Sequence, residues 1–237
     1  MKGIVLAAGR GSRIGNATRT LPKPLLQVGS RRCIDFAIEA LLARVEEVIV
    51  VTGYMAEAVE AHLAARGDGA RVRAVRNQDL EAGNLTSLRA ARGAIGADPF
   101  VVTNADHLFP AEMYTRHFVP GEGLTIACER NRPILADEMK VVERDGRLAA
   151  MAKTLTAFDG AYIGTTSVGT RALSAYWQAF DRVAAEADLK SASVEMVLDR
   201  LASEGIQAPV PCWIDGLRWY EVDTEDDLAI ARQGLEA

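Results

Sequence analysis

The chain has 237 residues, 49% hydrophobic and 25% charged, the composition of an ordinary globular protein and enough length to enclose a sizeable core. Its formal net charge of -5 excludes a general attraction to nucleic acid while leaving room for a local basic pocket. Cys33, Cys128 and Cys212 are widely spaced with no Cys-x-x-Cys pair, which excludes a disulfide framework and a zinc site.

The first element is an apolar run, Gly3 to Ala8, too short for a signal peptide or a membrane span, so a cytoplasmic protein is expected. It reads as a buried strand broken by Gly9-Arg10-Gly11-Ser12-Arg13. Apolar residues at helical spacing follow from Ile34 to Leu42, then a strand at Val48 to Val51, a helix from Met55 to Ala65 and a strand at Val72 to Val75. A helix from Asn84 to Ala94 with Asn84 as its N-cap, and a strand at Phe100 to Thr103, complete an alternation that implies a parallel, doubly wound α/β sheet.

Beyond Asp106 the rhythm changes. Leu124 to Cys128, Met139 to Glu143 and Leu148 to Lys153 read as strands, the last two joined by an Asp145-Gly146 hairpin turn. This is a small antiparallel insertion. Helices are expected at Trp177 to Ala187 and Val194 to Glu204, a strand at Trp219 to Val222, and a closing helix from Thr224, with Thr224 as cap and Glu225, Asp226 and Asp227 in the first turn.

Several constellations point to chemistry on phosphates. Gly9 and Gly11 let backbone N–H groups approach an anion, and Arg13 and Lys23, the latter within Pro22-Lys23-Pro24-Leu25, can neutralise a triphosphate. The loop lacks the Gly-Lys-Ser/Thr ending of a Walker A sequence, and Ile14 stands where a dinucleotide fingerprint would have its third glycine. A glycine turn with solvated arginines is the alternative. Asp106 and Asp223 each end a strand, where an open α/β sheet gathers its ligands, and two such carboxylates can share one Mg²⁺. A strand-end aspartate can also cap the next helix, an alternative left open for Asp223 by its neighbour Thr224. Lys153 ends a strand of small residues and can hold a phosphate as a point charge; a surface lysine is the alternative. It is one of only five lysines against 22 arginines. Asn77, Gly83, Asn84 and Ser87 offer hydrogen-bonding groups around a helix start, suited to a base or ribose. His62 and His117 read as solvated or core residues, His107 as a group that could order a metal-bound water, and Trp213, Trp219 and Tyr220 as either core or a cage for a quaternary ammonium.

The spacing L-A-A-G-R-G-S-R-x(8)-L-P-K-P-L resembles the signature of the nucleoside-triphosphate transferase family, the sugar-1-phosphate and phosphoalcohol nucleotidyltransferases. The resemblance implies a Rossmann-like mixed sheet in one nucleotidyltransferase domain over 1–237, with a nucleotide-binding half at 1–110 and an acceptor-binding half at 120–237. It implies an ordered, Mg²⁺-dependent reaction in which Arg13 and Lys23 hold the β- and γ-phosphates. Leu6, Ala7, Ala8, Gly9, Arg10, Gly11 and Ser12 would then bind base and phosphates, the segment from Asn77 to Ser87 would line the base, Asp106 and Asp223 would carry the metal, and Lys153 would serve the acceptor. Within the family the pattern is most like CTP:inositol-1-phosphate cytidylyltransferases, then phosphocholine and aminoethylphosphonate or phosphoethanolamine enzymes, with a UTP-dependent sugar-1-phosphate enzyme as a further alternative.

The residues between Leu124 and Lys153 include no aromatic, which suits a neutral polyol better than choline, and Asp137, Glu138, Asp159 and Tyr162 are the expected acceptor-binding groups. The expected partners are CTP or UTP and a small phosphorylated alcohol; a homodimer is compatible with the sequence, and neither a nucleic acid nor a membrane span is expected. An NAD enzyme is disfavoured by the broken fingerprint, whereas a nucleotide sensor without turnover stays open.

Overall fold

The computed structural model describes residues 1–11, 13–15 and 20–236, and Ser12 lies outside them. The chain begins with β1 (Lys2–Ala7), followed by a 3₁₀ turn at Lys23–Leu25, a small hairpin of β2 (Gln27–Val28) and β3 (Arg31–Arg32), α1 (Cys33–Leu42) and β4 (Glu47–Thr52). Next come α2 (Ala56–Ala64), β5 (Val72–Arg76), α3 (Asn84–Ile95), β6 (Phe100–Asn104) and the short β7 (His107–Leu108). The second half holds β8 (Leu124–Glu129), β9 (Lys140–Arg144), β10 (Arg147–Ala152), β11 (Gly160–Val168), α4 (Leu173–Glu186), α5 (Val194–Ser203), β12 (Val210–Trp213), β13 (Tyr220–Glu221) and α6 (Glu225–Glu236).

β1 pairs in parallel with β4 on one side and β6 on the other, and β5 extends the parallel layer beyond β4. Antiparallel β11 joins β6, and β8 pairs antiparallel with β11 and carries β12 in parallel. The expected mixed, mainly parallel sheet with helices on both faces is present. Alternation along the strands explains the two cores. Ile4 and Leu6 of β1, Ile49 and Val51 of β4, and Phe100 and Val102 of β6 pack with α3, α4 and α5, while Val5, Val48, Val50 and Val101 pack with α1 and α2. Strands buried on both faces must be apolar throughout, which is why they read as unbroken hydrophobic runs. A third cluster, including Ile14, Phe36, Leu108, Val222 and Leu228, ties β2, β7 and α6 to α1.

The β9–β10 hairpin turns through Asp145 and Gly146, with φ of 52° and 73°, the two positive angles that a two-residue type I′ turn requires. Three expectations need correction. Gly83, rather than Asn84, is the N-cap of α3; Asn84 Oδ1 instead accepts a hydrogen bond from the Val194 amide at 2.9 Å, so it caps α5. α4 begins at Leu173, ahead of Trp177. β11 and β12 were not anticipated as strands. No helix among the described residues is long and apolar enough to cross a membrane.

Candidate active site

The parallel layer runs β5-β4-β1-β6, so the chain leaves β1 in one direction along the sheet and returns to β6 on its other side. A crevice opens at the carboxyl ends of strands where this order reverses. Ala8 and Gly9 lie at the end of β1, and Asn104, Ala105 and Asp106 at the end of β6. These residues line a cavity of about 360 Å³ together with Leu6, Ala7, Gly11, Arg13, Lys23, Asn77, Asn84 and Ser87.

The loop geometry follows from its glycines. Gly11 has φ +62°, and a Cβ there would stand 2.8 Å from Lys23 Cβ, so both its conformation and its closeness to Lys23 require glycine. A Cβ at Gly9 would meet no protein atom within 4 Å. Pro22 and Pro24 flank Lys23 in the 3₁₀ turn, and their fixed φ angles set its backbone. Arg10 stands apart from the cavity lining, 57% exposed and 3.7 Å from Glu81.

At the floor, the Lys23 ammonium lies 2.5 Å from Asp106 Oδ2 and 2.6 Å from Asp223 Oδ1. Burial pulls the Lys23 ammonium toward neutrality, but the Asp106 and Asp223 carboxylates outweigh it and raise its pKa. Asp106 is opposed by its own burial, yet Lys23 and the His107 imidazole hold its carboxyl well below the ordinary range. The two aspartates meet because β13 pairs antiparallel with β7, Tyr220 opposite Leu108 and Glu221 opposite His107, and the Val222 amide donates to the Asp106 carbonyl at 3.1 Å. The capping alternative for Asp223 also has an answer. Asp227 Oδ2 accepts from the Asp223 and Thr224 amides at 3.1 and 2.8 Å, and the Asp227 amide donates to Thr224 Oγ1 at 3.2 Å, a capping box that leaves the Asp223 side chain to Lys23 and to Arg13 at 3.0 Å.

His107 donates through Nδ1–H to Asp106 Oδ1 at 2.6 Å and stacks on Trp219, with ring centroids 5.5 Å apart. Burial disfavours its charged form, but Glu221 and Asp106 raise its pKa; burial raises that of Glu221 in turn. Ligand atoms of Asp106, His107 and Glu221 lie within 4.8 Å of one another. Gly164, at φ +73°, makes room for this group, because a Cβ there would stand 2.7 Å from His107 Nε2. Glu221 was missed in the sequence, although it precedes Asp223 by two positions and alternation puts such residues on one side of an extended segment.

Asn77 is positioned by its neighbours: its side-chain amide donates to Thr86 Oγ1 at 3.2 Å and Ser87 Oγ at 3.1 Å, and its Oδ1 accepts from the Asp79 amide at 3.0 Å. Gly83 faces a second, wider cavity of about 950 Å³ that adjoins the first through Arg13, Asn84, Asn104, Glu221 and Asp223. This cavity is also lined by Asp137, Glu138, Lys153 and Tyr162, and by Arg132, Lys190, Glu195 and Trp219, which the sequence did not single out for it, apart from Trp219 as one arm of an aromatic cage.

The acceptor expectations divide here. Asp137 lies 3.7 Å from Arg13. Glu138 is engaged by Arg132 at 2.9 and 2.5 Å and by the Leu135 amide at 2.5 Å, so its carboxylate braces the loop between β8 and β9. Tyr162 is buried in the core, with its hydroxyl 2.9 Å from Thr166 Oγ1. Asp159 lies outside both cavities, accepting from the Glu143 amide at 2.7 Å with Arg144 at 3.6 Å. Of the aromatic-cage candidates only Trp219 reaches the wide cavity. Trp213 donates to Glu143 and carries the Arg130 guanidinium over its ring at 4.6 Å, and a Cβ at Gly234 would strike the Tyr220 hydroxyl at 1.9 Å.

The sequence model of the MobA-like NTP transferase domain matches residues 3–136, the stretch that carries the glycine loop, Lys23 and Asp106. The chain belongs to this family. Among curated proteins it is 34% identical to the bifunctional IPC transferase and DIPP synthase of Rubrobacter xylanophilus over 97% of this chain and 50% of that protein. To the protein of the same description from Archaeoglobus fulgidus it is 29% identical over 99% of this chain and 44% of the relative. The chain thus spans about half the length of these relatives. Among solved structures, the inositol-1-phosphate CTP transferase from T. maritima superposes with a TM-score of 0.78 at 19% identity, covering 98% of this chain and 96% of that one, and shares the fold.

The MobA-like family frame fits the donor set. Two hard carboxylate oxygens already converge on one compact cation, the Lys23 ammonium, at 2.5 and 2.6 Å. That is the arrangement a divalent ion sharing Asp106 and Asp223 requires, with Glu221 beside them, and Mg²⁺ prefers such oxygen donors together with substrate phosphates.

Proposed function

We propose that this chain transfers CMP from CTP to a phosphoalcohol, with inositol 1-phosphate as the preferred acceptor, and releases pyrophosphate. The observation that carries the reading is the position of the Lys23–Asp106–Asp223 cluster, where the narrow cavity opens into the wide one. The narrow cavity takes the nucleotide, with base and ribose between the Ala8–Gly9 backbone and the Asn77–Ser87 segment. Arg13 and Lys23 face its triphosphate. The wide cavity takes the acceptor.

A phosphate oxygen of the acceptor attacks the α-phosphorus of CTP, forming the new P–O bond as the bond from the α-phosphorus to the bridging oxygen of pyrophosphate breaks. A phosphate monoester is largely dianionic near neutral pH, so no side chain need remove a proton. Arg13 and Lys23 meet the charge that grows on departing pyrophosphate, and Lys153 orients the incoming phosphate and offsets its repulsion from the nucleotide. When bound at Asp106 and Asp223, Mg²⁺ supplies charge neutralisation at the transferred phosphoryl group.

The acceptor assignment draws on the relatives described as IPC transferases, on the fold shared with inositol-1-phosphate CTP transferase, and on the lining of the wide cavity. A quaternary ammonium favours several free ring faces. Here one face of Trp219 lies on His107 and Tyr162 is buried, whereas Asp137, Lys190 and Glu195 offer polar partners for hydroxyls. The test is pyrophosphate release with and without Mg²⁺ from CTP and UTP, each against inositol 1-phosphate, phosphocholine, phosphoethanolamine, aminoethylphosphonate and hexose 1-phosphates. The expected result is Mg²⁺-dependent turnover with CTP and inositol 1-phosphate, abolished in Asp106→Ala. Turnover confined to another pair reassigns the acceptor or the base, and no release with any pair overturns the reading in favour of a nucleotide-binding protein without transfer activity.

A further inference from the structure

Lys140 opens β9 and is 93% withdrawn from solvent, at 7% exposure. Its ammonium donates to the Ala136 carbonyl at 2.9 Å and to the Lys153 carbonyl at 2.7 Å, and stands 5.7 Å from the centre of the Phe158 ring. Among the described residues no carboxylate forms an ion pair with it. A buried cation is costly unless hydrogen-bonded, and here two carbonyl dipoles and a ring face take the place of a counter-ion. An apolar residue would fill the same space without that cost. What Lys140 adds, beyond the β9–β10 ladder that sets it opposite Ala152, is a side-chain tie between the end of the loop bearing Asp137 and Glu138 and the turn bearing Lys153. Both segments line the wide cavity.

We infer that Lys140 is a positioning residue for the acceptor: through its two carbonyl contacts it holds the Lys153 turn and the Asp137 loop at the spacing that the acceptor phosphate and its alcohol require. It touches neither cavity itself, since it is absent from the lining of both. The inference rests on the reading of Lys153 as the group that faces the acceptor phosphate. Misplacement of a positioned reactant by about 1 Å can cost about a hundredfold in rate, so loss of the tie should be felt in acceptor use well before it is felt in nucleotide binding.

The experiment is a double-mutant cycle of Lys140→Met and Lys153→Ala in the full chain, with KM for acceptor and for CTP measured separately, accompanied by amide hydrogen exchange of both proteins without substrate. Lys140→Met should raise the acceptor KM about tenfold or more while leaving the CTP KM within about twofold. On the Lys153→Ala background the same change should add less than about threefold, because one residue acts through the other. Exchange should quicken together in 136–139 and 153–158 and stay unchanged in β1. Equal rises in both KM values, additive effects in the cycle, or exchange that quickens in neither segment overturn the inference. Lys140→Gln, which keeps an amide donor, is carried through the same measurements and should fall between wild type and Lys140→Met, so the tie is tested even where Met at this position prevents folding. If wild type turns over no acceptor, the transfer reading fails, yet the exchange measurement still decides whether Lys140 ties the two segments.

Discussion

The Lys23 ammonium is nearly out of water, with 10% of its side chain exposed, and it separates two carboxylates whose side chains are 21% and 19% exposed. Removing it leaves Asp106 and Asp223 facing each other. Breaking a fully buried pair costs about 3–5 kcal/mol, and partial exposure of both acids should bring the loss nearer 1–3 kcal/mol. Lys23→Met is therefore expected to melt several degrees below wild type in EDTA and to recover most of that loss in millimolar Mg²⁺, since the ion can take the place of the ammonium. A variant that melts early and ignores Mg²⁺ would sink the shared-carboxylate reading. The pH dependence has a definite sign. Asp106 is held below the ordinary carboxylate range, so its contribution is complete above that range and is lost only as pH falls through and below it. Lys23, Asp106 and Asp223 were legible because prolines bracket the lysine and each acid closes a strand. Lys140 was not, because a single buried lysine at the head of Lys140-Val141-Val142-Glu143 looks like any strand-edge cation. Asp159 stands just before β11 against β9, and Tyr162 within β11 is buried; both placements depend on strand register, which one sequence does not disclose.

At the scale of elements, the start of α3 and the segment leading into α5 approach closely along the wide cavity. Gly83 precedes α3, and a Cβ there would stand 1.9 Å from the Ala192 carbonyl oxygen, while the Gly83 amide donates to the Leu189 carbonyl at 2.7 Å. Asn84 then caps α5 through the Val194 amide. Gly83→Ala must push the two helix starts apart and is expected to cost about 2–3 kcal/mol of stability in a denaturant melt, with Gly93→Ala as control, because a Cβ at Gly93 meets nothing within 4 Å. Gly93→Ala should instead be neutral or stabilising, by up to about 1 kcal/mol, inside an exposed stretch of α3. Equal effects at the two positions would refute the close approach. The strands buried on both faces, β1, β4 and β6, were legible as unbroken apolar runs, and β5, β8, β9, β10 and β13 were legible as shorter runs bounded by turn residues. β11 escaped notice because its sequence Gly-Ala-Tyr-Ile-Gly-Thr-Thr-Ser-Val mixes glycine and hydroxyl residues. Its hydroxyls are nevertheless largely satisfied inside the core, Thr165 with Thr103 at 2.9 Å and Thr166 with Tyr162. β12 was hidden by Pro211, which is tolerated because the strand pairs with β8 alone.

For the molecule as a whole, the reversal of strand order puts one arginine between two cavities. Arg13 lines both, is paired with Asp223 at 3.0 Å and reaches Asp137 at 3.7 Å. Its side chain is 64% exposed and that of Asp137 67%, so the second contact is weak and a triphosphate would displace it at little cost. Once Arg13 turns to the nucleotide, the Asp137 carboxylate is freed for the acceptor's hydroxyls, while Arg132 and Glu138 keep its loop braced. The two substrates should therefore bind with positive coupling, and typical coupling energies correspond to about 5- to 150-fold in affinity. Calorimetric titration of inositol 1-phosphate is expected to show tighter binding in the presence of a non-hydrolysable CTP analogue and Mg²⁺ than in Mg²⁺ alone. By reciprocity the analogue must bind tighter by the same factor when the acceptor is present. Asp137→Ala removes the carboxylate that Arg13 would free, so it should bind acceptor more weakly than wild type in the presence of the analogue and show reduced coupling. An acceptor affinity indifferent to the analogue would mean that Arg13 does not link the cavities, and that any order in the reaction comes instead from the metal cluster they share.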